Sequence, residues 1–410
     1  MKGMSSNSLE SWALNQVSIV KGTHALDITS LVQTLIVEED IEKGFARGSL
    51  AFIDSMNLME TMEMTGDEFL FVNFNSFKPD LTEKDPYSKI FQINGYMELS
   101  EQSLGTKRGI QLEFVTPGEI KNEYQYVSKS YSNTSNSSIV KEMIDLLEVD
   151  DTINIEETLF MKDLIIPNIT PLEAISFLGR YSMSKENGDS NFYFFENRYG
   201  INFVSGTTLS KQEPFEYIIE GSNPKDLQMY KKVSNFQRVK GYDLLEAARS
   251  GSLGENVAMR DALHRGYQIQ SIDAEEINQD FPVLNNIPVL SIKPDVQFGR
   301  TEFISTEQMY QFNNKSSYGN MKAIRDIKRG QMSQKRAFME AGGDSDVCAG
   351  MLVDLKIINQ IGQASARDSG KWLIAKCRHI INVNAGRYTQ EFDLISDSNI
   401  IRESHNVSGT

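Results

Sequence analysis

The chain of 410 residues is too long for one ordinary hydrophobic core, so its length indicates roughly two to four domains. Its 41 basic and 56 acidic residues give a net charge of −15, which opposes binding to the phosphate backbone of nucleic acids. The sequence has no apolar run of roughly 18 residues and no apolar segment of the signal-peptide type at its start. We therefore expect a soluble globular protein that neither inserts in a membrane nor carries a secretion signal.

Residues 1–117 are predicted to form five or six short strands. Glycine-containing turns separate them, and in the last strand Ile110, Leu112 and Phe114 alternate with polar residues. A period of two is typical of a strand that buries one face. Successive short strands of this kind favour a small antiparallel barrel or sandwich.

Residues 118–215 are predicted to form an α/β module. One helix opens at Ser137. A second opens at Thr170, which forms a capping box with Glu173, and Pro171 takes the first helical position. The expected buried stripes are Ile139, Met143, Leu146 and Leu147 in the first helix, and Leu172, Ile175, Phe177 and Leu178 in the second. Two strands follow, NFYFFEN and GINFVS, joined by a turn at residues 198–200.

The C-terminal half is predicted to hold a second β-module. Residues 328–341 indicate a helix, and after a glycine-rich turn come three strands. In the first of these strands Met351, Val353, Leu355 and Ile357 alternate with Asp354 and Lys356. The predicted units are residues 216–245 together with 321–400 as the second barrel, residues 246–320 as an insertion, and residues 401–410 as a flexible tail. The predicted fold class is α+β, mainly β, with two small antiparallel β-barrel domains, an α/β module and an inserted segment.

Two local clusters have both a structural and a functional interpretation. The basic segment from Lys322 to Lys335 is interpreted as a solvated helix face rather than a patch that binds phosphate or a partner. The aromatic strings FLFVNFNSF and NFYFFEN are interpreted as core rather than as platforms for single-stranded nucleic acid, because acidic residues flank them.

No motif in the sequence indicates a reaction centre. Phosphate-loop and dinucleotide-binding motifs are missing, and the acidic runs Glu38-Glu39-Asp40, Glu156-Glu157 and Glu275-Glu276 consist of adjacent residues. Side chains adjacent in sequence point apart, so we interpret these runs as solvated faces rather than acid/base pairs. Residues 342–346 are interpreted as a turn rather than a calcium loop. We predict no catalytic residues, no cofactor and no enzymatic activity.

The cysteines and histidines likewise predict no metal site. Cys348 and Cys377 are both expected in strands of the C-terminal sheet, as reduced and buried side chains. The four histidines, His24, His264, His379 and His405, show no metal-ligand spacing with Cys, Asp or Glu.

The order of a β-module, a helix-bearing module and a second β-module resembles the baseplate hub proteins of contractile-tailed phages. The strings that carry the resemblance are TPLEAISFLGRYS…NFYFFENRYGINFVS and AGGDSDVCAGMLVDLKI…GKWLIAKCRHIINVNAGRYTQEFDLISD. The hub part of type VI secretion spike proteins shares this architecture, and residues 246–320 depart from it.

The resemblance implies a structural virion protein at the centre of the tail baseplate, assembled in the host cytoplasm. Such a hub is a homotrimer whose three chains offer six tube-like barrels to a hexameric tail tube on one side and dock a trimeric spike on the other. Its implied partners are the spike, the tube or tube-initiator proteins and the neighbouring baseplate wedge proteins, while DNA passes through without specific binding. The alternatives are the hub of a phage-derived injection device, such as a tailocin or a secretion system, and a tail-associated cell-wall hydrolase.

Overall fold

The structure is a computed structural model, and the residues that it describes are 12–55, 58–77, 84–99, 108–159, 161–219, 233–261, 266–290, 292, 301–304, 315–357, 365 and 367–400. The predicted tail at 401–410, His264 and His405 lie outside these residues. No helix in the described part of the chain is both long and apolar enough to cross a bilayer.

The N-terminal strands form the first half of a large, almost entirely antiparallel sheet. Its elements are β1 Trp12–Lys21, β2 His24–Asp27, β3 Val32–Asp40, β4 Arg47–Asp54, β5 Phe69–Ser76, β6 Tyr87–Leu99 and β7 Arg108–Val115, with a 3-10 turn at Thr29–Leu31 and helix α1 at Leu58–Met62. They lie side by side in the order β3-β4-β7-β6-β5-β1-β2. Alternate side chains of these strands, among them Leu50, Phe52, Ile110, Leu112 and Phe114, fill one core.

The middle of the chain forms an α/β module with its own core. Its elements are α2 Pro117–Tyr124, β8 Val127–Ser135, α3 Asn136–Leu146, β9 Ile153–Ile155, β10 Met161–Ile169, α4 Pro171–Arg180, β11 Phe192–Asn197, β12 Gly200–Ser205 and α5 Gly206–Ser210. The predicted capping box is present at α4, where Thr170 and Glu173 bond each other's backbone N–H groups. In α3 the buried stripe includes Ile139 and Met143, and Leu147, which directly follows the helix, is buried as well. The predicted burial of Leu146 is wrong, since this side chain is exposed.

The C-terminal half completes the large sheet and adds a smaller unit. Its elements are β13 Phe215–Ile219, β14 Val233–Lys240, α6 Leu244–Ser250, β15 Gly254–Asp261, β16 Gly266–Asp273, α7 Ala274–Asp280, β17 Ile287–Pro288, β18 Thr301–Ile304, α8 Lys315–Met332, β19 Lys335–Gly342, β20 Leu352–Ile357, β21 Gly370–Asn382, β22 Arg387–Ser396 and β23 Ser398–Asn399. The large sheet runs β14-β19-β22-β21 and continues into β3, while β20 and β13 branch from β21. A second core lies here, built around Trp372, Leu355 and Phe392.

The small unit within residues 246–332 is a three-stranded sheet, β16-β15-β18, packed against helices. Val257 and Ile272 of the strands, Ile277 of α7, and Ile324 and Ile327 of α8 belong to its core. It therefore has its own apolar centre rather than extending the second core.

Residues 328–341 are not one helix, as the sequence predicted. Helix α8 ends at Met332, and Lys335–Gly342 form strand β19 instead. This strand pairs with β14 on one side and β22 on the other, so every second side chain, such as Ala337 and Met339, enters the second core. Tertiary pairing thus overrides the helical propensity of Ala, Met and Glu.

Strands dominate the described residues, and the helices are concentrated in the α/β module and the small unit. The predicted α+β, mainly β fold is confirmed. The three predicted C-terminal strands are present, and so is the hairpin at the turn of residues 198–200.

Strand β20 provides a direct test of the predicted alternation. Leu355 is fully buried, Asp354 is half-buried and Lys356 is exposed. We expect Leu355→Asp to lower the free energy of unfolding by about 3 kcal/mol or more, because it buries a carboxylate without a partner. Asp354→Asn and Lys356→Gln should each change it by less than about 0.5 kcal/mol. Chemical denaturation checks this, and equal losses in all three variants would contradict the assigned faces.

Candidate functional site at the junction of the two sheet halves

The two halves of the large sheet meet where β3 pairs with β21, which we call the junction. Backbone pairing runs from Asp40 opposite Lys376 to Thr34 opposite Asn382. The first residues of β21 pair instead with β20, from Gly370 to Leu373. One strand therefore belongs to both halves, and the two cores are joined by continuous backbone hydrogen bonding.

The outer face of the junction carries a network of ion pairs. Arg378 lies between Glu38 on β3 and Glu391 on β22, at 3.2 and 2.8 Å from their carboxylate oxygens. Lys376 contacts Glu38 at 2.8 Å and Lys43 contacts it at 3.3 Å. Burial raises the pKa of Glu38, but these three cations outweigh it and lower the pKa to about 2. Glu38 is therefore ionised at neutral pH and bonded across the junction.

The inner face of the junction is buried and polar. Glu39, predicted to lie on a solvated face, is fully buried, so that interpretation is wrong for this residue. Strand alternation turns Glu39 away from Glu38, and the loop of residues 343–350 covers it. The backbone N–H of Ala349 donates to Glu39 Oε2 at 3.0 Å, whereas Oε1 has no hydrogen-bond partner among the described residues.

Cys377 and His379 lie beside Glu39 on the same inner face. Cys377 is directly opposite Glu39 in the strand register, and His379 is two residues further along β21. Cys377 Sγ lies 3.6 Å from His379 Nε2, and His379 Nδ1 lies 2.7 Å from the hydroxyl of Tyr388. The structure thus brings together three side chains whose types ligate metals, although their sequence spacing gave no sign of it.

Burial sets the charge of this cluster. Burial raises the pKa of Glu39 to about 7, because it outweighs the hydrogen bond from the Ala349 N–H and the charge of Lys89, which both lower this pKa. The backbone N–H of Arg198 lowers this pKa as well. Burial lowers the pKa of His379 to about 3, so its imidazole is neutral at pH 7.

A buried ion pair fixes the α/β module to the first half of the sheet. Lys89 on β6 lies 2.5 Å from Glu196 on β11 and 2.7 Å from Asp151. Glu196 also accepts hydrogen bonds from the Ala46 N–H and the Thr116 hydroxyl. Burial lowers the pKa of Lys89, but Glu196 and Asp151 outweigh it and the pKa is raised. Lys89 is therefore charged, and Glu196 contacts it together with two other hydrogen-bond donors.

The loop of residues 343–350 fits closely over the inner face because two of its positions are glycine. A Cβ on Gly343 would lie 2.2 Å from the Tyr388 ring, and a Cβ on Gly350 would lie 2.4 Å from the Phe195 ring. Gly350 also has a φ of +82°, a conformation that favours glycine. A larger residue at either position would displace the ring beneath it.

The basic segment Lys322–Lys335 is not a solvated face, so that interpretation is wrong. Lys322 pairs with Asp326, Lys328 donates to the Phe281 carbonyl, and Lys335 lies 4.2 Å above the centre of the Trp372 ring. Lys328 and Lys335 are buried. Helix α8 packs this side against α7 and the second core, which a solvated face would not allow.

The cysteines and the aromatic strings lie where the sequence predicted buried residues, whereas the acidic runs are only partly exposed. Cys348 and Cys377 are buried and free, as predicted, but Cys348 lies in the loop before β20 rather than in a strand. Both aromatic strings supply core residues, as predicted. Glu275 and Glu276 are exposed, as is Glu157, whereas Glu156 is half-buried and accepts hydrogen bonds from Ser205.

The buried pair predicts a large effect for Lys89. Lys89→Met leaves Glu196 buried without its cation, so we expect a loss of about 3–5 kcal/mol in the free energy of unfolding. Adding Glu196→Gln should restore part of it. Lys121→Met, which breaks the exposed pair with Glu148, is the control and should cost less than about 1 kcal/mol. Urea denaturation of the wild type and the three variants measures the free energy of unfolding. Equal losses for Lys89→Met and Lys121→Met would contradict the role of the pair.

The lowered pKa of Glu38 predicts an acid-dependent contribution to stability. A carboxylate whose folded pKa lies below its unfolded value stabilises the fold above the unfolded pKa, and this contribution is lost as pH falls through the folded pKa. The window therefore runs from about pH 4.5 down to about 2. Glu38→Gln should flatten the stability curve in this window, while Glu213→Gln, at an exposed position, should follow the wild type. Thermal melts at several pH values check this, and parallel curves for Glu38→Gln and wild type would contradict it.

Similar proteins agree with the resemblance that the sequence predicted. The chain is 21% identical over 418 aligned positions to the probable baseplate hub protein gp334 of the Vibrio phage KVP40, covering 97% of each protein. No family model matches the chain.

Solved structures share the fold at very low sequence identity. A tail protein from Neisseria meningitidis MC58 has a TM-score of 0.60 at 9% identity, with 93% of this chain and 96% of that one covered. The 43 kDa tail protein of prophage MuSo2 from Shewanella oneidensis has a TM-score of 0.56 at 8% identity, with 93% and 98% covered. The half-lidded PdpA–VgrG complex of Francisella contains a chain with a TM-score of 0.52 at 9% identity, with 94% and 58% covered. The predicted resemblance to phage baseplate hub proteins is confirmed, and the fold is that of phage tail and VgrG proteins.

Proposed function

We propose that this protein is the central baseplate hub of a contractile phage tail, a homotrimeric adaptor between a hexameric tail tube and a trimeric spike. The observation that carries the proposal is strand β21, which holds two halves of one sheet together edge to edge. Each half has its own core. Three such chains arranged around an axis present six β-modules, which matches a six-fold ring on one side and a three-fold spike on the other.

The ends of the sheet support a ring of chains. Within the described residues, β14 pairs only with β19, and β2 pairs only with β1. An unpaired strand edge offers backbone groups to another chain, and such edges are covered or joined in stable assemblies. Val239 on β14 is 65% exposed, so this edge also presents an apolar side chain. We infer that these edges lie near neighbouring chains in the trimer.

The proposed partners follow from this position in the baseplate. The hub would contact the spike, the tube or tube-initiator proteins and the wedge proteins, in a virion assembled in the host cytoplasm. Its channel would let DNA pass without specific binding, because a net charge of −15 repels a phosphate backbone. The similarity to a probable baseplate hub protein supports a structural role without catalysis.

Two other functions are the alternatives to the hub of a phage tail. The hub of a phage-derived injection device has the same physical requirements, and the VgrG similarity favours it as the second candidate. The proteins similar to this chain are a probable baseplate hub protein and tail proteins, which disfavours a cell-wall hydrolase. Release of peptidoglycan fragments that is lost on mutation of one carboxylate would establish the hydrolase instead.

Assembly is the decisive measurement. We expect light scattering to give the mass of a trimer, either for the protein alone or after addition of its spike or tube partner. Val239→Asp should weaken trimer formation while preserving the fold, because it adds a charge at the β14 edge. Ile165→Asp, at an exposed site in the α/β module, is the matched control. A monomer under all of these conditions would refute the hub function.

A further inference from the structure

We propose that Glu39, Cys377 and His379 form a zinc site inside the junction. Three ligand atoms, one from each side chain, lie within 4.8 Å of one another, and all three residues are fully buried. The proposal is independent of the hub function, since it concerns only how the two halves of the sheet are held together.

The spacing of the sulfur and the nitrogen fits a shared metal. Zinc binds thiolate at about 2.3 Å and imidazole nitrogen at about 2.0–2.1 Å, so a tetrahedral site places the two atoms about 3.5 Å apart. Cys377 Sγ and His379 Nε2 are 3.6 Å apart. Because β21 is a strand, residues 377 and 379 point to the same side, which fixes this separation.

Glu39 supplies the third ligand from the other strand. It lies directly opposite Cys377 in the register of β3 and β21. Its Oε2 accepts the Ala349 N–H, whereas Oε1 is buried and has no hydrogen-bond partner among the described residues. A buried carboxylate oxygen without a partner is costly, and a metal ion would satisfy it.

The surroundings support each ligand in the way that metal sites require. The Tyr388 hydroxyl lies 2.7 Å from His379 Nδ1. A proton on Nδ1 that is donated to this oxygen leaves the Nε2 lone pair free for the metal. Gln390 is held by the Asp344 N–H at its Oε1 and by the Val347 carbonyl at its Nε2. Gln390 Nε2 lies 3.2 Å from His379 Nδ1 and 3.5 Å from Cys377 Sγ. With a proton on Nδ1, the second N–H of this amide has the sulfur as its acceptor and would stabilise a thiolate.

The set of donor atoms selects the metal. A thiolate, an imidazole and a carboxylate together suit zinc rather than calcium or magnesium, which prefer oxygen ligands. Binding converts the Cys377 thiol to a thiolate and releases its proton to the solvent. Because the site is buried, the metal would enter during folding and join β3 to β21 from within.

The alternative is a metal-free network. In that network His379 Nε2–H donates to Cys377 Sγ, Nδ1 accepts from Tyr388 or Gln390, and Glu39 is protonated. The two arrangements differ in the tautomer of His379 and in the charge of Cys377 and Glu39, so metal binding distinguishes them.

The test is refolding of the full chain from denaturant under reducing conditions, with Zn²⁺ or with a chelator, followed by extensive dialysis. We expect close to one equivalent of zinc per chain and a higher melting temperature for the zinc-refolded protein. Refolding with Co²⁺ should give the near-ultraviolet absorption of a thiolate-to-cobalt charge transfer. A wild-type protein that retains no zinc and shows no cobalt–thiolate band would overturn the proposal in favour of the metal-free network.

Variants assign the ligands. Cys377→Ser should abolish the cobalt–thiolate band, and Glu39→Gln should lower zinc retention at least tenfold. Cys348→Ser, at the other buried cysteine, should keep both properties. A band that follows Cys348 instead of Cys377, or zinc that persists in both Cys377→Ser and Glu39→Gln, would overturn the ligand assignment. If a variant fails to fold, the cobalt spectrum and the melting temperatures of the wild-type protein still decide whether the site exists.

Discussion

The architecture depends on one strand that is shared between two half-sheets. The first residues of β21 pair with β20 inside the second half, and its later residues pair with β3 of the first half. Separating the halves would break the backbone hydrogen bonds between β3 and β21 and leave two unpaired strand edges. The two cores are therefore joined along this strand by main-chain hydrogen bonds as well as by side-chain contacts.

The two faces of the junction stabilise it by different means. On the outer face, Glu38 and Arg378 interact in partial contact with water, where ion pairs contribute modestly and depend on salt. On the inner face, Glu39 and His379 are removed from water, and each polar atom needs a specific partner. Apolar residues at these positions would join the two halves of the sheet without the free-energy cost of burying polar groups. The buried polar cluster instead specifies one register of β3 against β21, since a shift of one residue would place Glu39 on the opposite face.

Local patterns in the sequence predicted those regular elements whose signal is contained within a few consecutive residues. The alternation in β7 and β20 and the capping box at Thr170 are local signals, and the structure confirms them. A register shift between Leu14 and Gln16 interrupts the alternation at the start of strand β1, so this part of the strand carries no clear local signal. Strand β19 was taken for a helix because its residues favour helices and only its two neighbours make it a strand.

The candidate site could not be predicted for a different reason. Glu39 lies more than 300 residues from Cys377 in sequence, so no local spacing links them. An acidic run on a strand predicts alternating faces, and it does so correctly for Glu38 and Glu39. Which of the two faces is buried depends on the loop of residues 343–350, whose position is set by distant contacts such as Arg198 with Asp346. Only the tertiary fold contains that information.

The same dependence on tertiary contacts changes the meaning of the net charge. The sequence suggested that the basic segment at Lys322–Lys335 partly offsets the acidic surface. In the structure, Lys328 and Lys335 are buried against the Phe281 carbonyl and the Trp372 ring. Among the described residues, however, eight acidic side chains and three basic ones are buried, so the solvent-facing surface is less acidic than an even distribution of residues would make it. Exposed charges dominate the field felt by an approaching polyanion, because interactions between charges fall off within about 8 Å in physiological salt. The field around the protein is therefore less negative than its composition alone indicates.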